Sequence, residues 1–224
     1  MLIGSVGKAG AGKDFCADIF EELLKERGEE LVKVSLADQI RKFIEAVNPL
    51  VVADMGPTIV SINHLLCLYS WDELKNCKVN PEHFDPEFCS SGVRKLMQDY
   101  GESARKLWGI SFWVDKILPS EQQINKAHFY GMHNWWGIYS SFLKYPNNYY
   151  VRDVRRIYEA NRIKALGGYI IRITDPQLEE SEEWRNHETE QEIDKIEADF
   201  EVVNDKSLHS GNISQQMCAI LERL

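Results

Sequence analysis

The sequence predicts an α/β fold built around a parallel β-sheet, and its first 36 residues supply the main evidence. Leu2–Val6 is a short apolar run that breaks into glycines, as a buried strand does when it enters a loop. From Asp14 the apolar residues Phe15, Ile19 and Leu23 recur at helical spacing, and Gly28 ends that pattern. A second apolar run covers 31–36. Strand, glycine loop, helix and strand in this order begin a βαβ unit, whose two strands are parallel.

The rest of the chain repeats this alternation around a less regular middle part. We predict helices over 38–47, 92–107, 112–118, 158–166 and near 190–196, strands at 149–151, 169–173 and 200–203, and a closing amphipathic helix from 213. Residues 50–90 show no clean period, and 129–146 is rich in aromatic residues without a clear element. The prediction is a single domain with a core of 1–37 and 147–224, into which about 38–146 is inserted.

Composition excludes several classes of function. The formal charge is −9, whereas a protein that binds nucleic acid non-specifically needs a basic surface. No apolar stretch reaches membrane length, and the first residues are too short and glycine-rich a run for a signal peptide, so we expect a cytoplasmic protein. Its five cysteines form no CxxC pair, which predicts free thiols. A zinc site from Cys67, Cys77, His83 and Cys89 is the alternative, but the spacings match no zinc pattern.

The segment GKAGAGKD carries the chemistry, because it follows the phosphate-loop pattern GxxxxGK[ST] at every position but the last. Glycines let the backbone curl so that successive N–H groups point at phosphate oxygens, and the following helix adds its positive dipole end. A lysine at this position neutralises charge as a phosphoryl group moves. We therefore expect ATP to be bound by Gly7, Lys8, Ala9, Gly10, Ala11, Gly12, Lys13 and Asp14.

The departure from the pattern concerns Mg²⁺. Asp14 stands where a serine or threonine hydroxyl usually binds the metal, and the next residue, Phe15, offers no ligand. Asp14 either holds Mg²⁺ through water or caps the helix. Asp153 follows a predicted strand and has the same two interpretations. The nucleotide and waters would then supply most of the metal's ligands.

Several segments together resemble the deoxynucleoside monophosphate kinases of tailed bacteriophages. The similarity is carried, in chain order, by GKAGAGKDFCADIF, SLADQIRK, RKLMQDYGESARKLWGISFWV, RDVRRIYEANRIKALGGYIIRI, HETE and DFEVVND. The resemblance implies a three-layer P-loop fold like that of adenylate kinase, with inserted substrate-binding helices and a short lid at about 174–190. It also implies ATP and Mg²⁺ as cofactors, a deoxynucleoside monophosphate as acceptor, and suggests a homodimer in the host cytoplasm. GKDF and DVRR are similar to elements of animal phosphomevalonate kinases as well.

The resemblance assigns roles to four arginines in addition to Lys13. Arg41 and Arg105 would grip the acceptor phosphate, Arg155 would reach the same phosphate, and Arg185 would close over ATP from the lid. Arginine suits this task because its planar fork binds two phosphate oxygens at once. The alternative for Arg41 and Arg105 is a helix surface, paired with acids such as Glu45 and Asp99.

Other residues are candidates for reading the nucleotide. Gln98 and Glu102 lie one helical turn apart and would face the acceptor base together, unless they form an exposed polar face. Trp113 stacks on the base or belongs to the core, and Trp135 and Trp136 carry the same two interpretations. Asn204, after the last strand, would line the adenine pocket.

Two classes of function remain at this stage. The first is a small-molecule kinase whose acceptor is a deoxynucleoside monophosphate, with phosphomevalonate and dephospho-coenzyme A as rival acceptors. The second is a regulator that binds ATP without phosphorylating a second molecule. A GTPase is disfavoured because the sequence contains no Asn-Lys-x-Asp motif.

Overall fold

The structure is a computed structural model that describes residues 1–52, 59–75, 93–120, 148–178, 192–205 and 211–224. These residues form two compact units, 1–36 with 114–224 and, separately, 37–113. The elements in chain order are β1 (Leu2–Val6), α1 (Lys13–Glu26), β2 (Leu31–Ser35), α2 (Leu36–Val47), β3 (Leu50–Val52), β4 (Ile59–Ser61), α3 (Ile62–Leu66), α4 (Trp71–Lys75), α5 (Val93–Trp108), a 3-10 turn (Val114–Lys116), β5 (Asn148–Val154), α6 (Ile157–Ala165), β6 (Tyr169–Thr174), β7 (Phe200–Val203) and α7 (Gly211–Leu221).

The first unit is built on a five-stranded sheet in the order β2-β5-β1-β6-β7. All four strand pairs are parallel, which confirms the predicted fold class. β1 lies at the centre and all five of its residues are buried, as expected for a strand that is covered on both faces. Because the strands are parallel, their carboxyl ends share one edge of the sheet, and that edge carries the glycine loop after β1.

The core of the first unit lies between the sheet and the helices α1 and α7. Phe20 of α1 is fully buried and contacts the ring of Tyr150 on β5, with 6.0 Å between centroids. Met217 of α7 and Ile171 of β6 belong to the same buried cluster. This packing fixes α1 against the sheet, and with it the loop from which α1 begins.

A bulge interrupts the pairing of β5 with β1 near the glycine loop. Gly4 pairs with Val151 and Val6 with Val154, so two residues of β5, Arg152 and Asp153, lie opposite one residue of β1. Asp153 has a φ of 58°, in the left-handed region that aspartate tolerates better than most residues. A bulge of this kind changes the direction in which strand side chains point.

The turn between β5 and α6 is held by a buried carboxylate. Glu159 is 2% exposed. Its Oε2 accepts hydrogen bonds from the backbone N–H groups of Arg155 and Arg156, at 2.9 and 3.2 Å. Arg156 is the N-cap of α6, so Glu159 satisfies N–H groups that a helix leaves without intrahelical partners.

We predict that Glu159→Ala lowers the free energy of unfolding by about 1–3 kcal/mol, because two backbone donors lose a charged acceptor in a buried place. Urea unfolding followed by circular dichroism measures the change. Glu22→Ala, on the exposed face of α1, is the control and should stay within about 0.5 kcal/mol of the parent. Equal effects for the two variants would contradict the role given to Glu159.

The second unit has its own small core and sheet. β3 and β4 pair antiparallel. The buried cluster contains Ile44, Ile62, Leu65, Leu74 and Val93, from α2 to α5. Phe43 adds edge-to-face contacts with the rings of Tyr100, Trp108 and Trp113.

The structure corrects the sequence prediction in detail. The stretch 112–118 forms a 3-10 turn over Val114–Lys116 instead of a helix. The stretch 50–90, which showed no period, includes β3, β4 and two helices of five residues each. The second unit covers 37–113, and the residues 114–120 group with the first unit. The predicted insert of about 38–146 includes residues outside the described ranges and stays a prediction. In the described ranges no helix combines the length and the apolar character that a membrane crossing requires.

Candidate nucleotide-binding site

The loop between β1 and α1 has the backbone shape that its glycines predict. Gly12 has a φ of 92° and is the N-cap of α1, so no side chain covers the N–H groups of the first helical turn. A Cβ on Gly12 would lie 2.2 Å from Nδ2 of Asn204, and one on Gly7 would lie 2.4 Å from the carbonyl oxygen of Ile173. Both positions therefore exclude a side chain, and a helix N-terminus of this shape suits an anion.

Lys13 lies inside the curl of this loop. Its side chain is 7% exposed, and Nζ donates to the carbonyl oxygens of Gly7 and Lys8, each at 2.9 Å. The carboxylate of Asp153 lies 3.4 Å from the same nitrogen. A buried ammonium needs such partners, because an unpaired charge away from water is costly. The loop thus places one cation where a phosphate chain would lie.

Asp14 and Phe15 follow the lysine on α1. Because Gly12 is the N-cap, the interpretation of Asp14 as a helix cap is wrong. Its carboxylate is 72% exposed and lies 2.9 Å from Nη1 of Arg152. Phe15 is 45% exposed and supplies no polar atom.

Asp153 and Arg155 lie at the carboxyl end of β5. The interpretation of Asp153 as a helix cap is also wrong, since the N-cap of α6 is Arg156. Nη2 of Arg155 lies 3.8 Å from the carboxylate of Asp153, which also approaches Lys13. The structure therefore brings together Lys13, Asp14, Asp153 and Arg155, four residues that the sequence predicted for the site.

Asn204 lies against the phosphate loop. Its side chain is buried, and Nδ2 donates to the carbonyl oxygen of Ala11 at 3.0 Å. Its backbone N–H donates to Thr174 at the end of β6, at 2.7 Å. The amide therefore supports the shape of the loop, and the predicted contact of Asn204 with adenine stays a prediction.

We predict that Asn204→Ala lowers both stability and nucleotide affinity. Loss of the amide leaves a buried carbonyl without this donor, which costs about 1–3 kcal/mol, and it frees the loop to sample other shapes. Thermal unfolding and ATP titration measure the two effects. Asn212→Ala is the control, because Asn212 is exposed on α7 and its amide, among the described residues, forms hydrogen bonds with the side chains of Asp205 and Gln216. An unchanged ATP affinity in Asn204→Ala would contradict the support role.

Sequence reasoning missed the residues that brace this edge of the sheet. Arg152 pairs with Asp14, and Asp194 pairs at 3.1 Å with Lys8, which the sequence did predict for the loop. Nη1 of Arg156 lies 2.8 Å from Glu192, and Arg172 donates to the carbonyl oxygens of Ile193 and Ile196. Arg152 was accessible from sequence, since it immediately precedes Asp153. The partners at 192–196 were not, because their distance along the chain hides the contact.

Oxygen donors at the site suit Mg²⁺. Mg²⁺ usually keeps several waters and takes one or two carboxylates together with substrate phosphates. Asp14 presents a largely exposed carboxylate at the start of α1, and Asp153 presents another beside Lys13. Within the described ranges no cluster of three or more His, Cys, Asp or Glu residues could hold a metal without a ligand's help. The residues fit a magnesium ion that the nucleotide brings and that they bind through water.

Two ionisable groups beneath the loop are kept neutral by burial. Burial raises the pKa of the Cys16 thiol to about 11, although Cys16 lies in the first turn of α1. Burial also raises the pKa of the Tyr150 phenol. Cys16 is therefore an inert thiol at neutral pH. Cys16, Cys67 and Cys218 are free thiols, as predicted, whereas Cys77, His83 and Cys89 of the zinc alternative lie outside the described residues.

Of the residues predicted to contact the acceptor, Arg41 and Arg105 lie in the second unit, whereas Arg155 lies in the first. Arg41 lies 3.1 Å from Asp72 and 3.6 Å from Asp38, so its observed partners are not the Glu45 that we considered. Arg105 lies 3.4 Å from Glu102 on the same helix, and Asp99 pairs with Lys95. Arg41 is thus paired with carboxylates of α2 and α4, and Arg105 with a carboxylate of its own helix, α5.

The base-reading candidates of the second unit differ in exposure. Gln98 is exposed on α5, and Glu102 is half-buried. Trp113 is 1% exposed, and its Nε1 donates to the carbonyl oxygen of Gly101 at 2.8 Å. Burial of this kind favours the core interpretation of Trp113 over stacking on a base. Arg185, Trp135 and Trp136 lie outside the described residues.

A five-stranded parallel sheet with a glycine phosphate loop between β1 and α1 defines an α/β fold of the P-loop class. The sequence matches no protein-family model and no curated protein. Two solved structures to which it is similar are shikimate kinases. The one from Bacteroides thetaiotaomicron aligns over 100% of this chain and 97% of its own, with 10% identity and a TM-score of 0.39. The one from Aquifex aeolicus aligns over 99% and 95%, with 13% identity and a TM-score of 0.39. Because the sequence identities and the TM-scores are this low, the similarity to these two structures indicates no function for this chain.

Proposed function

We propose that the chain is an ATP-dependent kinase that transfers the γ-phosphoryl group to a deoxynucleoside 5′-monophosphate, giving a deoxynucleoside diphosphate and ADP. The observation that carries the proposal is the position of Lys13, whose ammonium lies within the glycine loop at 2.9 Å from two loop carbonyl oxygens. A buried cation inside a ring of backbone groups at a helix N-terminus is an arrangement for binding phosphates. The choice of acceptor rests on the family resemblance described above.

In this proposal the loop and Lys13 hold the β- and γ-phosphates of ATP. Nζ of Lys13 leaves the carbonyl oxygens of Gly7 and Lys8 and follows the charge that develops during transfer. Arg155, at the end of β5, contacts the acceptor phosphate, and Glu159 fixes the backbone from which Arg155 projects. Asp14 and Asp153 orient the water shell of a Mg²⁺ ion, which supplies charge neutralisation when bound.

The acceptor needs no general base, because its attacking phosphate oxygen is already ionised at neutral pH. Catalysis then depends on alignment and on positive charge around the transferring group. Arg41 and Arg105 are the proposed ligands of the acceptor phosphate, and each would exchange its present carboxylate partner for phosphate oxygens. Gln98 and Glu102 are the proposed contacts to the acceptor base, and Arg185 the proposed lid residue. A phage source, a cytoplasmic location and a homodimer belong to the same proposal.

A coupled ADP-release assay with ATP and Mg²⁺ tests the function against a panel of acceptors. The panel contains the common deoxynucleoside and ribonucleoside monophosphates, phosphomevalonate and dephospho-coenzyme A. Turnover with one or more deoxynucleoside monophosphates is the expected result. If only phosphomevalonate or dephospho-coenzyme A gave turnover, the protein would still be a kinase, but the proposed deoxynucleoside monophosphate acceptor would be wrong. ATP binding without any acceptor-dependent turnover would favour the regulator.

A further inference from the structure

Four charged residues at the loop form a reciprocal set that we call the charge quartet: Lys13 and Asp14 at the start of α1, and Arg152 and Asp153 on β5. Lys13 lies 3.4 Å from Asp153, and Asp14 lies 2.9 Å from Arg152. Lys13 and Asp14 are neighbours in sequence with opposite charges, and so are Arg152 and Asp153. In the structure the positive residue of each pair contacts the negative residue of the other pair. The quartet therefore has no net formal charge.

The bulge in β5 makes this arrangement possible. Consecutive residues of a regular strand point to opposite faces of the sheet, so one strand cannot normally direct two neighbouring side chains at one loop. Arg152 and Asp153 both lie opposite Ser5 in the bulge, and the left-handed φ of Asp153 turns the chain between them. Both side chains consequently reach the first turn of α1. The strained backbone at Asp153 is a reason to seek a function here.

The Asp14 carboxylate creates an electrostatic problem that Arg152 solves. The polyphosphate of ATP is strongly anionic, and Asp14 adds a negative charge one residue after the lysine that must bind it. The neighbouring Phe15 provides no donor that would offset this charge. Arg152 is 28% exposed and Asp14 is 72% exposed, so water and salt screen the pair in part and its effect on a bound anion should depend on ionic strength.

We propose that Arg152 is a positioning residue of the nucleotide site, which holds the Asp14 carboxylate and compensates its charge so that the phosphate loop can accept a polyphosphate. This inference rests on the proposed ATP-binding function. Arg152 acts through Asp14, without its own contact to the phosphates. Removal of Arg152 alone should therefore harm binding, and simultaneous removal of the Asp14 charge should restore it.

A double-mutant cycle tests the inference by calorimetric titration of ATP, with EDTA and separately with Mg²⁺. Arg152→Gln should weaken ATP binding by about threefold to tenfold at low salt, as expected for one uncompensated charge near the ligand. Asp14→Asn together with Arg152→Gln should return the affinity measured with EDTA to within about twofold of the parent, because the double variant has the same net charge at the site as the parent. The penalty of Arg152→Gln should nearly vanish at about 1 M salt, where the Debye length is about 3 Å. Arg152→Lys should retain most of the affinity.

The matched control is Arg223→Gln, which removes the same charge at the far edge of the sheet, where Arg223 lies over the ring of Phe200 at the start of β7. It should leave ATP affinity unchanged. Thermal unfolding without ATP identifies a variant that fails to fold. If Arg152→Gln fails to fold, Arg152→Lys is compared with an Arg152→Met variant that folds. Arg152→Lys must then bind ATP more tightly than Arg152→Met.

Three outcomes overturn the inference. If Arg152→Gln binds ATP as tightly as the parent, the charge of Asp14 needs no compensation by Arg152. A double variant that binds ATP as weakly as Arg152→Gln alone would show that the Asp14 charge plays no part, and would place Arg152 directly on the phosphates. If the parent protein binds no ATP at all, the proposed function itself is wrong. This result can be told apart from a failure of the Arg152 inference because it is measured without any variant.

Discussion

Lys13→Ala should lower acceptor-dependent ADP release by about a hundredfold or more, because the lysine is the cation that follows the moving phosphoryl charge. The substitution also removes the side-chain donor to the carbonyl oxygens of Gly7 and Lys8, so thermal unfolding shows whether the variant still folds. The measurement is kcat and KM for ATP with the best acceptor of the panel. A larger effect on kcat than on KM would indicate that Lys13 acts mainly in the transition state.

The control for this prediction is Lys164→Ala. Lys164 is paired with Asp199 at 3.3 Å, much as Lys13 is paired with Asp153 at 3.4 Å, but it lies at the end of α6, away from the loop. The substitution should leave turnover within about twofold of the parent value, as for a surface ion pair. If Lys13→Ala retained the activity of Lys164→Ala, the phosphate-loop assignment would be wrong.

Gly12→Ala should produce the second large effect. A left-handed φ of 92° costs a residue with a Cβ about 1–2 kcal/mol. The new Cβ would also lie 2.2 Å from Nδ2 of Asn204, so the amide must leave the carbonyl oxygen of Ala11. Together these losses should lower the free energy of unfolding by about 2–4 kcal/mol. ATP affinity should fall by at least about tenfold, because each 1.4 kcal/mol of loop distortion is a factor of ten.

Gly28→Ala separates the two causes. Gly28 has a φ of 73°, and in the described part of the chain no atom beyond its neighbours in sequence lies within 4 Å of the place that a Cβ would take, so the substitution brings backbone strain without a clash there. We expect a loss of about 1–2 kcal/mol in stability and no change in ATP affinity. Urea unfolding and ATP titration of both variants give the comparison. Similar results for the two glycines would show that the contact between Gly12 and Asn204 is unimportant.

The sequence was informative about the core because hydrophobic periodicity is a local property. β1, α1 and β2 were predicted within one or two residues, since a fully apolar strand and a helix with one apolar face differ in period. The same method failed over 50–90. There β3 and β4 have three residues each, and α3 and α4 have five, which is too short for either period to emerge.

The candidate site was predictable only where its residues are neighbours in sequence. The glycine loop with Lys13 was recognised because one short segment contains the complete phosphate-loop motif. Asp153 was predicted from its place after a strand and Arg155 from the family resemblance, while Arg152, which lies between the predicted strand and Asp153, was overlooked. The hydrogen bond of Asn204 to Ala11 was not predicted, because 193 positions along the chain separate the two residues.

The sequence by itself determined the α/β class, the phosphate loop and the residue type at its centre, since each depends on a local pattern of apolar residues, glycines and one lysine. The tertiary structure alone decided how the charges pair. The bulge in β5 sets Arg152 against Asp14 and Asp153 against Lys13, and parallel strand pairing brings 152–153 beside 13–14 across a separation of 138 positions. Pairing of this kind depends on strand register, and register follows from the packing of the whole sheet.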